Sequence, residues 1–230
     1  YNIGYSGSSG YAGTGIFISS NHLNADILVK NNVIYNIYGD GWNYTSATDY
    51  LDNPAAITLY SSTPQGGINL YNNSINMFGN TLTHKLALSS GIFLSTGSTA
   101  SIRNNSIRNS LGNLSDSAYG SCCIFAQNSA TQFADIDYNN YYLDPTGNGV
   151  SSYGIISAGT SLTLAAWRNS TGKDRSSLSY SPGYSSDTVL IPNINSANCW
   201  SLNGRGTQIS VVGNDFYGNP RSTAVSSGST

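Results

Sequence analysis

A ten-residue phrase built on paired asparagines occurs four times, and it limits the possible folds more than any other feature of the chain. The copies are ADILVKNNVI at 25–34, GGINLYNNSI at 66–75, STASIRNNSI at 98–107 and QFADIDYNNY at 132–141. Counted from the key asparagines Asn32, Asn73, Asn105 and Asn139, an apolar residue stands three before, another two after, and a small or apolar one five before. The key positions lie 41, 32 and 34 residues apart, a variation that loops between fixed strands absorb and stacked helix pairs do not. A second phrase is interleaved with the first: GIFIS at 15, AITLY at 56, GIFLS at 91, CIFAQ at 123 and GIISA at 154. Each alternates as a strand does. One unit therefore holds a strand, a short loop, a second strand, the asparagine corner, a third strand and a longer loop.

This pattern predicts an all-β chain, a right-handed parallel β-helix (solenoid) of about five coils in which like residues stack at strand spacing. Corner asparagines suit it because Asn tolerates left-handed backbone and can bond to the backbone or to its copies up the ladder. The last coil would expose apolar core, so a C-terminal cap containing one short helix is expected. Thr163 would cap that helix, Gly172 would stop it, and Leu164 and Trp167 would cover the open end. The expected organisation is one domain, with coils over 1–160 and a capping segment and tail over 161–230. Beyond residue 180 the pattern gives short strands at 188–191 and 209–212, then a Ser/Gly-rich end.

These phrases resemble right-handed parallel β-helix proteins of the pectate-lyase-like superfamily. LTLAAWRNSTGKDRSSLSYSPGY at 162–184 and GNDFYGNPRS at 213–222 are similar to the C-terminal segments of secreted β-helix repeat proteins from Bacteroidota-type bacteria. The resemblance implies a large secreted or surface chain with further domains and a type IX sorting signal. It identifies an architecture and not a reaction.

Composition supports strands: 9% of residues are charged, Glu is absent, and Ser, Thr, Asn, Gly and Tyr carry the polar surface. With nine basic residues and a net charge of -2 there is no footprint for nucleic acid. No apolar run is long enough for a membrane span. The numbering is expected to begin inside a longer precursor. Cys122 and Cys123, adjacent on a strand, would face opposite ways and pack as small apolar residues, with a bridge from one of them to Cys199 as the alternative. His22 and His84 stand apart from ligand-spaced partners, so no metal site is read. Asn43, Asn72, Asn104, Asn113 and Asn169 match the N-glycosylation pattern, two of them within the corner.

Two regions carry candidate chemistry. The long loop at 39–54 combines Trp42, Tyr44 and Tyr50 with Asp40, Asp49 and Asp52, and rings beside carboxylates are what sugar binding uses. Two before each key asparagine stand Lys30, Tyr71, Arg103 and Asp137, so Arg103 and Asp137 would be neighbours able to pair. Asp135 and Asp137 would project from one face at a spacing compatible with calcium. By the resemblance, Arg103 with these carboxylates could serve a polysaccharide lyase. A row of Phe17, Thr58, Phe93, Phe125 and Ile156 faces outward, to be covered by loops or to form a partner surface.

The expected function is a non-catalytic secreted or cell-surface structural or adhesive module that recognises an extracellular glycan or another surface protein, without a cofactor. The alternative is a polysaccharide lyase or glycoside hydrolase, with calcium, acting through Arg103, Asp135 and Asp137.

Overall fold

The computed structural model describes residues 12–42, 49–79, 82–84, 86–113, 120–144, 149–157 and 159–222. Strands come in threes. The first set is β1 (Thr14–Ile18), β2 (Ile27–Lys30) and β3 (Val33–Tyr35); the second is β4 (Ala55–Leu59), β5 (Gln65–Tyr71) and β6 (Ser74–Met77). The third is β7 (Ser89–Leu94), β8 (Ser98–Arg103) and β9 (Ser106–Asn109); the fourth is β10 (Ser121–Ala126), β11 (Phe133–Asp137) and β12 (Asn140–Leu143). After them come β13 (Ser152–Ile156), β14 (Gly159–Ser161) and helix α1 (Leu164–Thr171). Strands of like position pair, giving one sheet in the order β1-β4-β7-β10-β13-β14, a second β11-β8-β5-β2 and a third β12-β9-β6-β3.

This corrects the expected closed right-handed parallel β-helix of about five coils. The strands build three discrete, parallel-rich sheets stacked on one another and not a closed solenoid. The physical reason lies at the corners, where the backbone leaves extended geometry and the ladder bonds of each strand run to neighbouring sets. Within a set, side chains and not ladder bonds join one sheet to the next. The second and third sheets stop at four strands, and the first ends on the antiparallel pair β13 and β14.

The paired asparagines divide the labour at each corner. The first of the pair takes the left-handed conformation, at φ 56° in Asn31, 55° in Asn72 and 56° in Asn104; Tyr138 holds the same place at 58°. The second is buried and joins a ladder. Asn105 Oδ1 accepts from Asn73 N at 3.0 Å and Asn73 Nδ2 at 2.9 Å, while Asn105 Nδ2 donates to Leu70 O at 2.9 Å and Asn139 Oδ1 at 3.1 Å. Asn32 and Asn139 continue it on either side, and Ser177 Oγ accepts from Asn139 N at its end. Every buried polar atom in such a ladder offsets the cost of its own desolvation only because its neighbour is present.

Apolar rows fill the interior. Val29, Leu70, Ile102 and Ile136 are register partners on the second sheet, and Ile34, Ile75, Ile107 and Tyr141 on the third. All eight are buried. Fully burying each such aliphatic side chain contributes roughly 1.5–3 kcal/mol. The gapless frame of the fourth phrase fails at one place. A bulge between Phe133 and Asp135 sets Phe133, and not Ala134, opposite Ala100, so the larger ring fills the core.

On the first sheet Ile16, Ile57, Ile92 and Ile124 line up with Gly154. A Cβ at Gly154 would lie 2.2 Å from the Trp167 ring, so the tryptophan of α1 occupies the space that an inward side chain takes elsewhere in the row. Thr163 Oγ1 accepts from Ala166 N at 3.1 Å to start α1, and left-handed Gly172 ends it. Trp167 Nε1 and Tyr141 Oη both donate to Asp174 Oδ2 at 2.6 Å, and Ser177 Oγ donates to Asp174 Oδ1. One buried carboxylate thus fastens the helix, the third sheet and the tail together.

The outward face of the first sheet is covered in its middle. Phe93 and Phe125 are buried, 5.3 Å apart, with Ala55, Leu88, Cys122 and Ile155 in a second apolar cluster against which Leu51 packs. Phe17, on β1, remains exposed. Ile155, and not Ile156, continues this row, because Phe125 pairs with Ile155. Cys123 belongs to the main core, so the adjacent cysteines do face opposite ways; all three cysteines are free thiols.

Residues beyond 177 follow the corners and do not form the expected strands at 188–191 and 209–212. Leu178 pairs with Asn140, Tyr184 bridges Pro192, Thr207 exchanges two hydrogen bonds with the Asn104 amide, and Asn31 Nδ2 donates to Asn214 O at 2.7 Å. Two of the left-handed asparagines, Asn31 and Asn104, thereby clasp the tail.

Candidate functional site

The 39–54 loop is pinned by Asn53, whose Oδ1 accepts from Trp42 N at 3.3 Å and Leu88 N at 2.9 Å. Trp42 is 39% exposed, and its ring centre lies 4.7 Å from that of His84. Asp40 is buried beneath, 3.9 Å from His84 Nε2. Asp52 is exposed at the end of the 3-10 turn Asp49–Asp52. Tyr44 and the side chains of Asp49 and Tyr50 lie outside the described residues. His84 was not legible as a partner of this loop, because its contact with Trp42 and Asp40 spans about forty residues of intervening strands.

On the second sheet the row Lys30, Tyr71, Arg103 and Asp137 forms in register as the phrase spacing indicates. The pairing within it differs from expectation. Arg103 Nε donates to Asp135 Oδ2, one step along the strand, while Asp137 Oδ1 accepts from Tyr138 N at 2.9 Å and Ser176 N at 2.7 Å. Asp137 is thus used to dock the tail. The Arg103 guanidinium also lies 5.8 Å from the Tyr138 ring centre. Its hydrogen bond to Asp135 raises its pKa above an already high ordinary value, partly opposed by burial. A general base has to give up its proton near neutral pH, and this arrangement moves Arg103 the other way. A cation held by Asp135 would have to sit against the same guanidinium. Among the described residues no three His, Cys, Asp or Glu side chains cluster closely enough to hold a metal ion.

A third group was not anticipated. Three after each key asparagine stand Tyr35, Asn76, Arg108 and Tyr142, in register on the third sheet. The tail crosses this row at residues 181–187 and leaves a groove of about 350 Å³ lined by Arg108, Tyr142, Asp144, Tyr184 and Asp187, among others. Arg108 Nη1 donates to Asp187 Oδ1 at 2.6 Å and Nη2 to Asp144 Oδ2 at 3.2 Å. The Arg108 side chain is 22% exposed, whereas the carboxylates are 55% and 57% exposed. Tyr184 Oη donates to Ser106 Oγ at 2.6 Å, and burial pushes its pKa up to about 12, so it stays a neutral donor. The row was available in the sequence as a fixed offset from Asn105. Its completion by Tyr184 and Asp187 was not, since the tail carries no repeat.

Among the described residues no helix is long and apolar enough to cross a membrane. Comparisons of the chain with protein-family models, with curated proteins and with solved structures found no match.

Proposed function

We propose that this chain is a non-catalytic structural or adhesive module displayed outside a bacterial cell, which holds an extracellular glycan on its loops. The observation that carries the reading is the engagement of Arg103 by Asp135 and of Asp137 by the tail, which commits the residues of the lyase alternative to structural bonds. Low charge and a surface rich in Ser, Thr and Asn suit a secreted or surface location. The exposed Trp42 ring, backed by His84 and pinned through Asn53, supplies a rigid face for stacking on a sugar ring. The test is retention of neutral and acidic polysaccharides on the immobilised full chain, compared with Trp42→Ala. Retention weakened at least about tenfold, or roughly 1.4 kcal/mol, by Trp42→Ala is expected. Equal retention by both proteins removes the loop from the account, and no retention of any polysaccharide refutes the glycan reading.

A further inference from the structure

The groove on the third sheet has the composition of a site for an uncharged sugar. Arg108 carries five N–H groups, two of which are held by Asp187 and Asp144, so its plane is fixed while further donors remain. The two carboxylates, each bound to Arg108 through one oxygen and each more than half exposed, can accept from ligand hydroxyls. Tyr142 and Tyr184 also line it. A volume of about 350 Å³ falls at the small end of the range for small-molecule sites, about 300–1,000 Å³.

A second observation lies beside the groove, on buried atoms of the same row. Asn76 is fully buried on the strand next to Arg108, its Nδ2 donates to Asp187 O at 2.8 Å, and its Oδ1 has no partner among the described residues. Arg108 Nε is likewise buried without an acceptor. Unmatched buried polar atoms in one row are costly and persist mainly where another demand is met.

Charge decides among ligand classes. Two carboxylates against one guanidinium leave the groove with a local charge of about -1, which disfavours phosphates, sulfates and uronates. The guanidinium between the carboxylates disfavours a metal ion. Hydroxyl groups, which donate to carboxylates and accept from guanidinium, satisfy both. We propose that the groove binds a neutral hexose unit of a glycan, with Asp144 and Asp187 accepting from its hydroxyls and Arg108 donating to its oxygens. This rests on the glycan-binding reading and places its polar recognition on the third sheet.

The test titrates the full chain, by calorimetry and by tyrosine chemical shifts, with methyl glycosides of glucose, galactose and mannose and of glucuronic and galacturonic acids. At least one neutral glycoside should saturate in the millimolar range, with its uronate counterpart at least about tenfold weaker. Asp144→Asn combined with Asp187→Asn should weaken the neutral glycoside at least tenfold and strengthen the uronate. The single variant Asp144→Asn, with a thermal melt to confirm folding, should move affinities the same way by a smaller factor. Binding lost in Trp42→Ala but kept in the double variant overturns this site and leaves the glycan module standing. Polysaccharide retention without any glycoside binding does the same, and absence of both overturns the site together with the proposed function.

Discussion

Replacing Asn105 by Ala removes the centre of the asparagine ladder, and the hydrogen bonds give the cost. Four bonds at 2.9–3.1 Å disappear. Asn73 Nδ2 keeps Val29 O, and Asn139 Oδ1 keeps Asn105 N. Asn73 N and Leu70 O lose the side-chain partners that bind them, at a position only 2% exposed. Leu70 O lies within the β5–β8 ladder and keeps that pairing, so Asn73 N alone is left unsatisfied, which predicts a loss of about 1–3 kcal/mol. That is a large fraction of a typical stability of about 5–15 kcal/mol. The neighbouring Asn104→Ala loses no bond of the buried ladder; it gives up its two part-buried bonds to Thr207 and pays for left-handed backbone, about 1–2 kcal/mol. Asn104→Gly should cost less still. Equilibrium urea unfolding of the three variants, followed by far-UV circular dichroism, measures these differences. A loss below about 1 kcal/mol for Asn105→Ala, or an Asn104→Gly as costly as Asn104→Ala, would refute the division of labour within the pairs.

Gly154→Ala should destabilise by about 1–3 kcal/mol, because its Cβ meets the Trp167 ring at 2.2 Å; tryptophan fluorescence during unfolding would register the displaced ring. Burial raises the Asp174 carboxyl above its ordinary value against the opposing bonds from Ser177, Tyr141 and Trp167. The folded state therefore binds that proton more readily than the unfolded chain, and the stability it adds is complete below the unfolded value, about 3.9, and declines as pH rises through the folded one. Measured as the difference between wild type and Asp174→Asn, stability should fall across that window by no more than about 1.4 kcal/mol per pH unit; a rise would contradict the sign. Arg103→Gln should change stability by under about 1 kcal/mol, since its pair with Asp135 is about one-third exposed on both sides. A chemical denaturation curve displaced by several kcal/mol would mean that the pair has a larger structural role.

The strand triplets and their register could be read from the sequence because each inward position repeats at a fixed distance from the key asparagine. Val29, Leu70, Ile102 and Ile136 fall where the phrase puts them. Closure could not be read this way. Periodicity reports which strands pair, and three stacked sheets satisfy the same period as a closed solenoid. Small shifts were hidden for a local reason: the bulge before Asp135 and the displacement of Ile155 into the phenylalanine row each change register by one residue without altering the apolar pattern. Tyr138, which holds the left-handed place in the fourth set, shows that position and not residue type decides which of the pair bends. Both asparagines looked suited to it, and only the structure separates the one that bends from the one that bonds. The Arg108 groove depends on the tail folding back over the third sheet, a contact between residues about eighty apart with no repeat to announce it.

The central claim, that the chain holds a glycan without cutting it, is tested most directly by incubating the full chain with a panel of neutral and acidic polysaccharides, with calcium and with chelator. New reducing ends and unsaturated uronate would be followed in the same samples that report bound polysaccharide. The account predicts retention with no product under either condition. Calcium-dependent product formation that disappears in Arg103→Ala or Asp137→Ala would contradict it and make the chain a lyase.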